Sequence, residues 1–349
     1  MKIAICTHLS LSYMGGGERE MCELANELVE RGHEVDFYAL PYRMGAKPKV
    51  DPHRVLKGVP YSEGWTHKVK TDVAYTFYHP LSSLNFRVQG RKIASFHSQA
   101  FFLKSVSPRY GLLPAAASYG TRLIGPLELR TFDAIHTHFP QPTVKHKSTY
   151  IIPGWVDTEV FKPAAAKYDQ FTVLFSGRAL WQKGWDIYVR LANRMKDLGI
   201  RFLYVGGNIR DSVIQSLGFQ WNAATLSHIY NSSHVLMNPV RVDTFGRVAI
   251  ESMACGTPVV TTPSVAHVGL KLPFVYGNSV EEYESSLLEL KRLWEEGKPY
   301  RKLSQNCSDA AQAFSFKNTA TQYERMFAEV ANGRPTGCSN EGNWGAAAL

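Results

Sequence analysis

Short apolar segments alternate with amphipathic segments along almost the whole chain, and this alternation constrains the fold more than any other feature. Lys2–Cys6 and Val259–Thr261 have the composition of buried strands, whereas Glu18–Arg31 repeats its apolar residues at helical spacing. Strands that alternate with helices predict parallel sheets joined by helical crossovers. With 349 residues, the chain is long enough for two such domains, each with its own core. We therefore predict an α/β protein with two domains, each built on a parallel sheet.

The boundary between these domains is predicted near Pro153-Gly154. We predict one domain at 1–157 and a second at 158–316. A helix at 317–331 is expected to cross back to the first domain, and the Gly-, Ser- and Ala-rich tail at 332–349 is expected to be flexible.

The individual elements follow from the same periodicities. Residues 41–71 show no clear period and predict a long loop with short elements, whereas 101–131 predicts helix with breaks at Pro108, Pro114 and Pro126. Further strands are predicted at Glu34–Leu40, Asp72–Phe77, Lys92–Phe96, Ala134–Thr137, Thr149–Ile152, Phe171–Phe175, Arg201–Val205 and Val235–Met237. Further helices are predicted at Asp186–Asp197, Ala224–Asn231 and Gly246–Ala254, and two or more between 280 and 331.

Cysteine usage and hydropathy predict a cytoplasmic protein. The apolar run at the N-terminus is too short for a signal peptide, and no run of about eighteen uncharged apolar residues predicts a membrane span. The cysteines are odd in number and form no C-x-x-C pair, which argues against a disulfide framework and a structural zinc site. They are Cys6, Cys22, Cys255, Cys307 and Cys338.

Positive charge is concentrated in the first half of the chain. Residues 40–150 contain 16 Lys and Arg against 5 Asp and Glu, a net charge of +11, whereas the whole chain carries +9. Such a surface attracts anionic molecules, so we expect the acceptor side of the protein to meet a lipid-linked molecule, a membrane surface or a nucleic acid. A solvated surface that only maintains solubility remains an equal alternative to an anionic acceptor. Peripheral attachment to a membrane surface stays open for a cytoplasmic protein with this charge.

A pair of cations follows a predicted strand in the second half. Ser176-Gly177-Arg178 ends the strand, and Lys183-Gly184 precedes the next helix. A guanidinium and an ammonium at this spacing, beside a helix N-terminus, can clamp a diphosphate. The clamp would stabilise the charge that develops on a nucleotide as its sugar departs.

Two carboxylates lie eight positions apart further along the chain. Asp243 precedes the segment Phe245-Gly246-Arg247-Val248, and Glu251 lies on the helix that starts there. Gly246 allows backbone N–H groups to approach a phosphate or a ribose without a Cβ in the way. The pair is followed by Gly256-Thr257-Pro258 and a buried strand.

Together these segments resemble the G-R-x-x-x-x-K-G and E-x-x-x-x-x-x-x-E motifs of family-four glycosyltransferases (glycosyltransferases group 1). The resemblance implies a GT-B fold, with two Rossmann-like domains facing a cleft and a C-terminal helix crossing back. It also implies that Asp243 faces the donor sugar and Glu251 binds the ribose hydroxyls. An Asp in place of the family's first Glu shortens the reach by one methylene.

The first half resembles the same family in two places. Gly15-Gly16-Gly17-Glu18 matches the glycine loop that closes over the donor phosphates, and His97, in Ser95-Phe96-His97-Ser98, matches the histidine that contacts the transferred sugar. The resemblance thus implies catalytic roles for His97, Arg178, Lys183 and Asp243. The expected donor-binding residues are Gly16, Gly17, Gly177, Arg178, Lys183, Gly206, Phe245, Gly246, Arg247, Val248 and Glu251.

The function implied is retaining transfer of a sugar from a nucleoside-diphosphate sugar, such as a UDP- or GDP-sugar, to an acceptor hydroxyl. No metal and no cofactor are expected, because the cations replace a metal and no D-x-D site occurs. Two alternatives stay open within the fold: a viral-type glucosyltransferase acting on hydroxymethylated DNA bases, and a sugar-nucleotide epimerase. A non-catalytic nucleic-acid-binding function would not explain the clamp. A dinucleotide-dependent dehydrogenase is disfavoured, because the G-x-G-x-x-G motif of that class is absent from this sequence.

Overall fold

Two separate parallel sheets organise the chain. The computed structural model describes residues 1–13, 16–42, 50–97, 112–138, 146–164, 166–220, 222–241, 245–263 and 272–337. The chain divides into unit 1, which consists of Met1–Gly154 and the segment that begins at Lys317, and unit 2, which consists of Trp155–Phe316.

The sheet of unit 1 has a doubly wound strand order. Its strands are β1 (Lys2–Thr7), β2 (Glu34–Ala39), β3 (Tyr61–Glu63), β4 (His67–Phe77), β5 (Phe86–Phe96), β6 (Ala134–Thr137) and β7 (Thr149–Ile151). They lie in the order β3-β2-β1-β4-β5-β6-β7, and all neighbours are parallel. The chain therefore changes winding direction between β1 and β4, where ligands of this fold class bind. The first helices are α1 (Gly16–Glu30), α2 (Pro52–Val55), α3 (Ser82–Asn85) and α4 (Leu112–Glu128).

The sheet of unit 2 repeats the same order. Its strands are β8 (Thr172–Ser176), β9 (Arg201–Val205), β10 (Ile214–Ser216), β11 (Val235–Asn238), β12 (Val259–Thr261) and β13 (Val275–Tyr276). They lie in the order β10-β9-β8-β11-β12-β13, again with parallel neighbours. The helices are α5 (Trp185–Met195), α6 (Ala223–Ser232), α7 (Arg247–Ala254), α8 (Val280–Glu296) and α9 (Lys298–Ala311).

Both faces of the unit 2 sheet are buried, which explains why its strands read as continuous apolar runs. Along β8, Val173 and Phe175 pack into a cluster with Leu191 of α5, whereas Leu174 between them packs on the other face with Ile250 of α7. Because successive strand residues point to opposite faces, a strand covered on both sides needs apolar residues at every position.

The last helix, α10 (Phe316–Ala331), packs onto unit 1. Its Tyr323 hydroxyl lies 3.3 Å from Nε2 of His136 on β6. Its Glu324 accepts from Arg31 Nη1 at 3.0 Å and lies 2.9 Å from His33 Nε2, just after α1. The helix returns to the first unit, as the resemblance implies.

Most predicted elements are present, and three of the predicted strands, β6, β9 and β12, have the predicted bounds. The predicted break at Pro126 is wrong, because α4 continues through it to Glu128. Pro126 is exposed in the last helical turn, where water can replace the hydrogen bond that the ring removes. Pro114 lies in the first turn, where an amide N–H has no helical partner, and Pro108 lies outside the described residues.

Lys167, in the segment before β8, hydrogen-bonds to residues that precede β11 and β12. Its Nζ donates to the Ser233 carbonyl oxygen at 2.6 Å and to Thr257 Oγ1 at 2.7 Å. Burial lowers the pKa of Lys167 to about 7. In the unfolded chain a lysine pKa is about 10.4, so between these values the unfolded state binds the additional proton.

The free energy of unfolding should therefore rise with pH above about 7, by up to about 1.4 kcal/mol per pH unit. Lys167→Met should lack this rise, because its side chain does not titrate. Urea denaturation of both proteins between about pH 7 and pH 9 measures the difference. If that difference stays constant with pH, Lys167 is charged in the folded protein throughout the range.

Candidate functional site

The carboxyl edge of the unit 2 sheet brings the predicted donor-binding loops together. Gly177-Arg178 follow β8, Gly206 follows β9, and the loop after β11 leads to Gly246 and α7. Between β8 and β11 the winding direction changes, and ligands of doubly wound sheets bind at such a point. Asp243, the predicted sugar-facing carboxylate, lies outside the described residues.

Two glycines let neighbouring loops touch through their backbones. A Cβ on Gly206, whose φ is +143°, would lie 2.0 Å from the Gly177 carbonyl oxygen. A Cβ on Gly184, whose φ is +74°, would lie 2.1 Å from the Pro239 carbonyl oxygen. Only glycine permits these approaches, so the loops after β8, β9 and β11 are held at fixed separations.

The predicted cation pair lies on the loop between β8 and α5. Arg178 is exposed immediately after Gly177, and Lys183 ends a short 3-10 turn, Trp181–Lys183, before α5. The N-terminus of α5 follows this turn, and the positive end of the helix dipole favours an anion nearby. The structure thus places a guanidinium, an ammonium and a helix N-terminus on one loop.

Glu251 is a buried carboxylate with defined partners. It is 5% exposed, lies 3.6 Å from Nε of Arg247 and accepts from the Tyr230 hydroxyl at 3.3 Å. The Tyr230 hydroxyl in turn lies 2.9 Å from Ser176 Oγ, at the end of β8. Burial, and then Glu251 itself, raise the pKa of Tyr230 well above its ordinary value, so the phenol keeps its proton and can donate. The Glu251 carboxylate is thereby linked to the residue that precedes Gly177-Arg178.

The other predicted residues of this segment differ in burial. Gly246 immediately precedes α7, and Val248 is half-buried against the core. Phe245 is buried, with its ring centroid 5.8 Å from that of Phe314, so its ring belongs to the core of unit 2.

An ion pair that the sequence did not single out connects two of these loops. Arg241, after β11, binds Asp186 of α5 through both terminal nitrogens, at 2.6 and 2.8 Å. It also donates to the Trp181 carbonyl oxygen at 2.6 Å and lies 4.5 Å from the Trp181 ring centroid. Two-point binding of this kind fixes orientation, so Arg241 positions the turn that carries Lys183. Arg241 and Asp186 are 55 positions apart, and no sequence motif links them.

The carboxyl edge of unit 1 contains a layer of histidines around His97. His97 Nε2 is within hydrogen-bond distance of Ser95 Oγ and 3.2 Å from the Tyr75 hydroxyl, and its Nδ1 lies 2.9 Å from His138 Nε2. The Tyr75 hydroxyl is also 2.7 Å from His136 Nδ1. Both ring nitrogens of His97 are therefore engaged within unit 1.

Burial controls the charge of this layer. The pKa of His97 lies well below its ordinary value, and burial is the largest cause of this shift. Repulsion by the neighbouring histidines lowers the pKa further; these are His138, His136 and His8. Burial and His138 likewise lower the pKa of His136, although the Ile152 carbonyl opposes the shift. Both rings are neutral at physiological pH, so His97 can donate or accept a hydrogen bond but carries no positive charge.

The predicted glycine loop is adjacent to His97. Gly16 begins α1, and a Cβ on Gly17 would lie 3.2 Å from Phe77 Cε2. The Phe77 ring lies over His97, with centroids 3.9 Å apart and planes tilted by 30°. Gly17, Phe77 and His97 thus form successive layers, whereas Gly15 lies outside the described residues.

The predicted site residues therefore form two groups, one in each unit. Unit 1 brings Gly16, Gly17 and His97 together, and unit 2 brings the loops after β8, β9 and β11 together around Glu251. The sequence missed Tyr230, Asp186 and Arg241, because each acts through a long-range contact. The resemblance assigned no role to His138.

Part of unit 2 matches a known protein family. Residues 170–289 match the family model described as "Glycosyl transferases group 1". A D-inositol 3-phosphate glycosyltransferase of Mycobacteroides abscessus is 34% identical over 134 residues, which cover 31% of this chain and 30% of the relative. The chain thus matches less than a third of the length of that relative.

Solved structures show the fold of the whole chain. Sucrose-phosphate synthase from Thermosynechococcus elongatus has a TM-score of 0.70 at 19% identity, covering 94% of this chain and 98% of that one. Anabaena HepE in complex with UDP and glucose has a TM-score of 0.71 at 14% identity, covering 94% and 100%. The predicted GT-B architecture is confirmed.

Gly206→Ala should destabilise the protein by at least about 3 kcal/mol, because the new Cβ meets the Gly177 backbone and the φ of +143° suits only glycine. Gly199→Ala is the matched control. Its φ is +68° but no atom lies within 4 Å of a Cβ, so it should cost only about 1 kcal/mol. Chemical denaturation of the two variants tests this difference, and equal losses would contradict the proposed backbone contact.

Proposed function

We propose that this chain, which carries a glycosyl transferases group 1 segment at residues 170–289 in a GT-B fold, transfers a sugar from a nucleoside-diphosphate sugar to an acceptor hydroxyl. One observation carries the proposal. The buried Glu251 carboxylate is hydrogen-bonded through Tyr230 to Ser176, directly before Gly177-Arg178, at the point where the strand order of unit 2 reverses.

The roles of the unit 2 residues follow from their chemistry. Arg178, Lys183 and the N-terminus of α5 would bind the diphosphate and neutralise the charge that develops as it departs. Glu251 would accept hydrogen bonds from the two ribose hydroxyls. A carboxylate held by Tyr230 and Arg247 is already oriented, so little ordering is needed when the ribose binds.

The reaction itself exchanges one bond for another at the anomeric carbon. The bond to the diphosphate oxygen breaks, and the acceptor hydroxyl forms its bond on the same face, which retains the configuration. An oxygen of the departing phosphate takes the hydroxyl proton, so no protein base and no cofactor are required. Asp243 and His97 would bind the hydroxyls of the transferred sugar. For His97, such a contact replaces one of its present contacts to Ser95 or His138.

The nucleotide of Anabaena HepE is UDP, and this supports a nucleotide-sugar donor for a chain of the same fold. The relatives with similar sequence are glycosyltransferases by name, and this favours transfer over epimerisation. We infer a UDP- or GDP-sugar as the donor. A panel of UDP-, GDP- and ADP-sugars, each measured by the shift in melting temperature, identifies the nucleotide because a ligand stabilises the state that binds it. NMR of the product then reads the anomeric configuration.

Arg178→Ala combined with Lys183→Ala should weaken binding of the stabilising nucleoside diphosphate by about 100-fold or more, because two charge-assisted contacts are lost. Calorimetry measures the affinity directly. Arg190→Ala combined with Lys196→Ala is the matched control, since it removes the same charge from exposed positions in and after α5. Equal losses in both double variants would mean that net charge, and not a clamp, governs binding.

The acceptor side is proposed to lie at an anionic membrane surface. On α4, Tyr119, Leu123 and Leu127 are 59%, 78% and 66% exposed. Glu128, at the end of α4, accepts from the backbone N–H groups of Leu81 and Ser83, which brings the exposed Leu81 and Leu84 to the same surface.

Arginines accompany these apolar side chains. Arg122 lies 5.8 Å from the Tyr119 ring, and Arg130 follows α4; both are exposed. Apolar side chains next to arginines are typical of surfaces that insert shallowly among anionic headgroups. Among the described residues no helix is long and apolar enough to cross a bilayer, so attachment here would be peripheral.

Leu123→Glu combined with Leu127→Glu should reduce binding to vesicles that contain anionic phospholipid by at least about tenfold, because apolar burial is lost and like charge is added. Leu198→Glu, at an exposed leucine of unit 2, is the control and should bind as the wild type does. Co-sedimentation at low and high salt measures both. Binding that is equal for neutral and anionic vesicles would contradict the proposal, and binding to DNA in place of vesicles would favour a nucleic-acid acceptor.

A further inference from the structure

Three potential metal ligands converge beside the histidine layer of unit 1. They are Glu20 on α1, His97 after β5 and His138 after β6, and their donor atoms lie within 4.8 Å of one another. Nε2 of His138 is 2.9 Å from Nδ1 of His97 and 3.5 Å from Oε1 of Glu20. Glu20 and His138 are both buried, at 4% and 1% exposed.

One nitrogen of each ring and a carboxylate oxygen of Glu20 face one another. Nδ1 of His138 lies 3.1 Å from the Ile152 carbonyl oxygen, which only accepts, so a neutral His138 has its proton on Nδ1 and a lone pair on Nε2. One proton between His138 and His97 can satisfy those two nitrogens. The carboxylate oxygen of Glu20 nevertheless faces the same nitrogen at 3.5 Å. A cation bound between the Glu20 oxygen and the two ring nitrogens would attract all three atoms.

The separations suit a small tetrahedral ion. Zn²⁺ binds imidazole nitrogen and carboxylate oxygen at about 2.0–2.2 Å, so two tetrahedral ligands lie about 3.3 Å apart. The distances of 2.9 and 3.5 Å bracket that value. Two imidazoles and one carboxylate favour Zn²⁺ or a similar first-row ion over Mg²⁺ and Ca²⁺, which prefer oxygen ligands alone.

The surroundings hold the ligands in this orientation. The Ile152 carbonyl fixes the ring of His138 through its outer nitrogen, an arrangement common around metal-binding histidines. Phe77 covers one face of His97, and Ser95 holds the ring at Nε2. Small movements of the side chains are therefore enough to close the site.

We propose that Glu20, His97 and His138 bind one divalent transition-metal ion of the Zn²⁺ class, with a fourth position for water. The ion takes Nδ1 of His97 and leaves Nε2 facing Ser95 and Tyr75, so it fixes the ring without occupying its other nitrogen. The site is separate from the Arg178–Lys183 clamp, but it includes His97, which the proposed function places at the transferred sugar.

The test uses the untagged full chain, dialysed against a chelator and titrated with Zn²⁺ by calorimetry. We expect one ion per chain, and an affinity that falls at least about tenfold in Glu20→Gln and in His138→Gln. His53→Gln and His228→Gln, at exposed histidines, are the controls and should bind as the wild type does. No binding, or the same affinity in all four variants, would overturn the proposal.

A measurement on the wild type alone keeps the proposal testable if a variant does not fold. X-ray absorption of the zinc-loaded protein should show two imidazoles and only nitrogen or oxygen ligands at about 2.0–2.2 Å. Fewer than two imidazoles, or sulfur from a cysteine, would place the ion elsewhere. Nucleotide binding by the same sample reports on the transferase proposal separately.

Discussion

The contact between the backbones of Gly177 and Gly206 determines the geometry of unit 2 at its carboxyl edge. A side chain on Gly206 would collide with the Gly177 carbonyl, so the loops after β8 and β9 can meet only because Gly206 lacks one. Gly184 makes the equivalent approach to Pro239 after β11. Three loops are thereby fixed by main-chain packing, which is stiffer than side-chain packing because it has no rotamers to change. Arg178, which is exposed, and Lys183, which is half-buried, therefore extend from a loop whose backbone has a fixed position.

The buried network around Glu251 adds a cost that the fold must compensate. A carboxylate that is 5% exposed loses most of its hydration, and Tyr230 and Arg247 return only part of it through contacts at 3.3 and 3.6 Å. An apolar residue of similar volume would pack at this position without that cost. Retention of the acid therefore favours a role in binding, where ligand hydroxyls complete the interactions that the protein leaves long. The proposed ribose contact has this character.

Sequence reasoning predicted the layered α/β architecture because most central strands contain a short apolar run and most long helices have one apolar face. It missed β10 and β13, because β10 contains only one apolar residue and β13 has only two residues, so neither forms a recognisable apolar run. It predicted the loops of the site, because the glycines and cations follow strands directly. It could not predict the Arg241–Asp186 pair or the contact of His138 with Glu20, which join residues 55 and 118 positions apart. Such pairs depend on strand order, which the local spacing of residues does not predict.

The histidine layer shows how strand order creates chemistry that no motif contains. β5 and β6 are neighbours, so Ser95 pairs with His136 in the parallel register and His97 and His138 follow the two strand ends. The helix after β1 then brings Glu20 to the same edge, because β1 is separated from β5 by β4 alone. Burial makes His97 and His136 neutral, and neutral imidazoles bind metals or share single protons, but they do not pair with phosphate as cations. The positive charge that a diphosphate requires must therefore come from arginine and lysine, which is the chemistry found on the β8–α5 loop.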